Sequence, residues 1–163
     1  MKITPIRLLA LGSAVAATMA IAGCSMMGMG GGASSPAGLS AGLTASMDQP
    51  GARLDKAQAI ALINSYRATV GAPALVADAS LDGTAQALAN QYAQTNTAPA
   101  TPQGMSVMKL SAGYSTFANT FSGWRNSPAD AAGLAARGSK AGIGVAYSAA
   151  SSYGVHWVLL IAN

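Results

Sequence analysis

Val155-His156-Trp157-Val158-Leu159-Leu160-Ile161 is the stretch that decides the architecture of this chain. At the two-residue period of a strand, Val155, Trp157, Leu159 and Ile161 fall on one face, and Val158 and Leu160 on the other. A strand apolar on both faces belongs in the middle of a sheet, with helices covering both sides. Upstream, Ile143-Gly144-Val145-Ala146-Tyr147 reads as its partner, joined to it by a Ser/Gly/Ala turn. Further back the texture is helical. Asp55 can cap a helix in which Leu62, Ile63, Tyr66 and Val70 recur at three- and four-residue spacing, with Gly71 at its C′ position. Ala72-Pro73 forces extended backbone. Asp78 or Ser80 can cap a second helix with Leu81, Ala85, Leu88, Ala89 and Tyr92 on one side. After a loop from Thr95 to Gln103, Ser115 can cap a third helix presenting Phe117, Phe121 and Trp124. Pro128 suits the first turn of a short helix ending at Leu134. Helices first and paired strands last predict an α+β domain over residues 53–163.

Composition narrows the chemistry. The chain has 163 residues and a single cysteine, so no disulfide forms within it. All five acidic residues are aspartates, which removes any paired-glutamate active site. One histidine and no glutamate also remove the His–Glu and multi-histidine metal sites. Only 9% of residues are charged, against about 25% in ordinary soluble chains, so Ala, Gly, Ser and Thr must cover much of the surface.

The N-terminus carries an address. Lys2 and Arg7 precede an apolar run from Leu8 to Ala22 that is too short and too rich in alanine for a membrane span. It ends in Ile21-Ala22-Gly23-Cys24, which resembles the bacterial lipobox. The expectation is a signal peptide over residues 1–23, removed to leave Cys24 with a diacylglycerol thioether and an amide-linked acyl chain. Two or more chains make a stable anchor. An ordinary secretory signal would instead strand a free thiol in an oxidising compartment. Ser25 in place of aspartate resembles the enterobacterial pattern for the outer membrane, at its periplasmic face or the cell surface. Residues 24–52 are Gly, Ser, Ala and Met without apolar periodicity, and read as a flexible tether. Cleavage would remove Lys2 and Arg7, leaving seven basic against five acidic side chains. The remaining cations are scattered, so nucleic acid is not an expected partner.

Several segments, taken in order, resemble the CAP superfamily (cysteine-rich secretory, antigen 5, pathogenesis-related 1) in its small bacterial form. Ala61-Leu62-Ile63-Asn64-Ser65-Tyr66-Arg67 and Gly71-Ala72-Pro73-Ala74-Leu75 resemble the opening N-x-x-R helix and its G-x-x-x-L continuation. Asp78-Ala79-Ser80-Leu81 with Ala85-Gln86 resembles the second helix. Gly123-Trp124-Arg125-Asn126-Ser127-Pro128 and Leu134 resemble the W-x-N-S-P segment. The resemblance implies a three-layer αβα sandwich, with a central, mostly antiparallel sheet and a cleft. Such proteins commonly hold a divalent metal there with two histidines and two acids. Carried over, those four positions fall at or near Leu88, Met108, Asn119 and Asp130. The resemblance therefore implies a degenerate cleft with no metal and no cofactor.

Three functional readings follow. The leading one is a non-catalytic, lipid-anchored envelope module for an apolar ligand, a cell-wall component or a partner protein, since Leu88 and Met108 make the cleft greasier. A hydrolase using His156 and Asp130 with a nearby hydroxyl is the alternative, although no nucleophile-elbow sequence supports it. A spacer with a filled cleft is the third. His156, Arg125 and Asn126 are the candidate cleft-lining side chains. Arg67 is expected to pair with Asp78 or Asp82.

Overall fold

The computed structural model describes residues 39–163. The expected signal segment, the lipobox-like stretch with Cys24 and the expected tether as far as residue 38 lie outside the described residues. The elements run α1 (Ala41–Thr44), α2 (Lys56–Thr69), β1 (Val76–Ala77), α3 (Ala79–Thr95), β2 (Met105–Ala112), α4 (Phe117–Asn126), α5 (Pro128–Leu134), β3 (Lys140–Tyr147) and β4 (Val155–Ala162). The sheet order is β1-β3-β4-β2, antiparallel except for the short parallel β1–β3 pair.

β4 is an inner strand, and every one of its residues is buried. Its two apolar faces feed two cores. Val155, Trp157, Leu159 and Ile161 pack with Ile60, Ile63, Phe117, Phe121 and Trp124 from α2 and α4. Val158 and Leu160 pack with Ala85 and Ala89 of α3. The result is the three-layer αβα sandwich. Asp55 caps α2 through Gln58 N at 3.0 Å, Asp78 caps α3 through Ser80 N and Leu81 N, and Gly71 takes φ +72° after α2. The third cap falls one residue later than the sequence suggests: Thr116, not Ser115, accepts the Asn119 N–H.

Three other differences have physical causes. The sheet has four strands where the periodicity reveals two. β1 is two exposed residues long and β2 an edge strand of mostly half-buried residues, so neither carries an apolar run. The stretch read as tether is folded from Leu39 onward, with Leu43 (5% exposed) and Met47 (3% exposed) in the main core. Two apolar anchors four residues apart in a Gly/Ser/Ala chain create no recognisable face; only the cavity they fill identifies them. Finally, Arg67 pairs with no aspartate. It is wholly buried and donates to three carbonyls, Pro73 O (2.7 Å), Leu134 O (2.7 Å) and Ala136 O (2.9 Å).

α3 lies unusually close to β3. A Cβ at Gly142 would overlap the Leu81 carbonyl carbon and the Asp82 nitrogen, and one at Gly144 would overlap the backbone of Ala85 and Gln86. That approach lets α3 side chains complete the β3 edge. Asp82 Oδ1 accepts from Ile143 N (2.8 Å), and Gln86 brackets Val145, donating to its carbonyl (2.7 Å) and accepting from its N–H (3.4 Å). Four helical residues rise about 6 Å, close to the roughly 6.7 Å of two strand residues. One helix stripe can therefore satisfy alternate strand residues where β1 stops.

Candidate functional site

The motif residues of α2 turn out to hold the fold. Asn64 clamps Leu75 with both ends of its amide, donating to Leu75 O and accepting from Leu75 N, each at 2.8 Å. Three residues further along the same helix, Arg67 ties the loop after α2 to the end of α5. The N-x-x-R spacing places both side chains toward the segments they fasten.

The four carried-over cleft positions are not gathered into one pocket. Leu88 and Met108 sit with the apolar α3-side core. Asn119 is exposed on α4, its backbone N–H bound by Thr116. Asp130 forms an ion pair with Lys109, whose register partner Leu159 belongs to the opposite face from that of Leu160, the partner of Met108. Two apolar side chains, an exposed amide and a carboxylate already paired with a cation do not fit a divalent metal. Among the described residues, no three His, Cys, Asp or Glu side chains come together.

His156 is completely buried on the α3 side. Its ring meets Tyr92 edge-on at 4.6 Å between centroids, and Tyr153 at 6.2 Å. Nε2 lies 3.3 Å from Ser151 Oγ, which in turn donates to Asn96 Oδ1 and accepts the Tyr153 N–H. With the hydroxyl proton directed to Asn96, Nε2 is the donor to Ser151, opposite to what a general base requires. Nδ1 is buried with no hydrogen-bond partner, so no acid orients the ring. Burial pushes the His156 pKa below the usual histidine value, with the Gly154 backbone opposing the shift without a well-formed bond to Nδ1. Asp130 takes no part in this cluster. Ser151 and Asn96 have no motif in the sequence; the one available signal was Asn96 after a predicted helix, where a left-handed residue (φ 52°) closes α3.

A different surface is hollow. Along α2, three adjoining depressions of about 340, 170 and 460 Å³ share Leu62; the first two also border α4, and the last two share Leu39. Tyr66 and Phe121, in edge contact at 6.1 Å, line the first of these together with the exposed Arg125. Of the candidate lining residues, then, Arg125 borders a hollow, His156 is enclosed, and Asn126 is exposed at the end of α4.

The family model for the cysteine-rich secretory protein (CAP) family matches residues 60–161, most of the described domain. The chain belongs to this family. No curated protein matches it. Among solved structures, this CAP chain is similar to an outer surface protein from Borrelia burgdorferi, at 18% identity and TM-score 0.52, covering 63% of this chain and 86% of that one. It is also similar to an extracellular protein containing an SCP domain from Bacillus anthracis, at 17% identity and TM-score 0.53 over 66% of this chain and 40% of that one. MpPR-1i matches at 18% identity and TM-score 0.51 over 64% and 82%. At these identities the likeness establishes the shared CAP fold.

Proposed function

We propose that this protein is a membrane-anchored lipoprotein whose CAP domain is a non-catalytic binding module in the bacterial envelope. The observation that carries this reading is the separation of the acid–base groups: Asp130 is neutralised by Lys109 on one face of the sheet, while His156 is enclosed on the other. The groove between α2 and α4 supports a lipid acyl chain as ligand. Its walls are Leu39, Leu62, Tyr66 and Phe121, and Leu39 stands only 15 residues after Cys24. That the two solved bacterial neighbours are described as outer surface and extracellular proteins agrees with an envelope address.

Native mass spectrometry of the protein released from detergent should detect a co-purifying lipid, lost in Leu62→Asp. A lipid-free protein, or one that retains lipid in that variant, would sink the groove assignment. Cys24→Ser should release the protein from membranes; unchanged membrane association would refute the anchor. Hydrolysis, the alternative, would have to run through the Ser151–His156 contact, whose hydrogen-bond direction disfavours it. A hydrolytic activity abolished by both Ser151→Ala and His156→Ala would replace the binding-module reading with that one.

A further inference from the structure

A second groove lies elsewhere, and its chemistry is different. Two adjoining cavities of about 440 and 220 Å³ run between the segment 47–56 on one side and α3 with the end of β3 on the other. They share Gly51, Ala52 and Val145, so they form one trough. Arg53 and Lys56 border only the first cavity, Asn90 and Tyr147 only the second, so cations and aromatic ring stand at opposite ends. The outer wall is pinned in place: Met47 is buried and its N–H reaches Ser115 O at 2.7 Å, while Leu54 packs on the main core. A trough with both walls fixed needs little reordering on binding.

We propose that this trough is a binding site for an acidic saccharide, with the carboxylate at the Arg53 end and a sugar ring against Tyr147. Among the described residues, Arg53 has no carboxylate partner, whereas Lys56 leans on Asp82 at 3.7 Å. The first cavity therefore keeps an uncompensated guanidinium, whose planar fork matches a carboxylate. In the middle, the Gln86 amide donates both to Val145 O (2.7 Å) and to Asn90 Oδ1 (3.1 Å). Asn90 is exposed with its oxygen occupied, and its NH₂ makes no hydrogen bond among the described residues, which leaves a donor for a hydroxyl or an acetamido oxygen. At the far end Tyr147 is 36% exposed, and its flat ring suits the apolar face of a pyranose. The lining is cationic, amide-bearing and aromatic, with no deep apolar pocket for a peptide side chain. The inference rests on the binding-module reading and gives that module a second, polar ligand.

The test is isothermal titration of the full lipidated chain in detergent micelles. The probes are a disaccharide of N-acetylglucosamine and N-acetylmuramic acid, which carries a carboxylate, chitobiose as its uncharged counterpart, and a triglutamate peptide. The acidic disaccharide should saturate and bind about tenfold more tightly than chitobiose, the effect of one charge-assisted contact. Arg53→Gln should erase that preference, and Tyr147→Ala should weaken both sugars about tenfold. Both side chains are exposed, and unchanged circular dichroism would show that the variants fold. Absent saturation, equal affinity for the two sugars, equal or tighter binding of the peptide, or indifference to both substitutions would each overturn the site. A co-purifying lipid without saccharide binding would sink this inference alone and leave the module reading standing.

Discussion

Gly144→Ala is the sharpest test of how α3 is seated on the sheet. The added methyl would overlap the backbone of Ala85 and Gln86, and a helix backbone cannot rotate away as a side chain can. Overpacking costs about 1–3 kcal/mol where side chains can adjust, and the upper end applies here. The helix must move off the strand, which also breaks the two Gln86 bonds to Val145, at about 1 kcal/mol each. The expected loss is therefore about 4–5 kcal/mol, a large part of the roughly 5–15 kcal/mol that holds a domain together. For a domain of this size that corresponds to a fall in Tm of about 15–20 °C. Gly83→Ala is the internal control. Gly83 lies on the exposed side of the same helix, and a methyl added there would meet nothing within 4 Å. Alanine at that position should stabilise by about 0.5–1 kcal/mol. Chemical denaturation of the two variants side by side gives the answer. If Gly144→Ala came within about 0.5 kcal/mol of the parent protein, the close seating of α3 would be wrong.

Three further outcomes follow from the same packing. The folded-state pKa of His156 is lowered, so the unfolded chain binds the extra proton; stability should be full above about pH 6.5 and fall as the pH drops toward the folded-state value. Denaturation at pH 7.5 and 5.5 should show a loss of at most about 1.4 kcal/mol per pH unit. The loss should vanish in His156→Gln, since this is the only histidine. Arg67→Met should leave three carbonyls without their donor, the one at Leu134 fully buried, and cost about 2–3 kcal/mol. Amide exchange at Ala136 and Arg137 should rise with it, and unchanged exchange there would contradict the clamp. Leu43→Ala should cost about 2–4 kcal/mol because the side chain is buried in the main core; a neutral result in urea denaturation would return residues 39–52 to the tether.

The stretch Val155–Ile161 was legible because burial on both faces leaves a one-dimensional record, an unbroken apolar run. Asp55, Asp78 and Pro128 were legible for a similar reason, since caps and first turns act over three or four residues. The role of Arg67 was not. An aspartate at a plausible spacing is a reasonable partner, but the carbonyls it actually binds include two, at Leu134 and Ala136, that lie 67 and 69 residues away. The bonds from Asp82 and Gln86 to β3 were not legible either, because nothing in their spacing shows that the strand beside them ends early.

By itself, the sequence determined the classes of chemistry left open, the two-faced strand and the order of helices around it. These are local or compositional properties, fixed by residue type and period. Only the tertiary structure decided that Asp130 and His156 lie on opposite faces of one sheet, that Leu43 and Met47 belong to the core, and that two unlike grooves flank the sandwich. The physical reason is that these properties depend on which distant segments meet. That is set by packing two faces of β4 at once, and no window of sequence contains both.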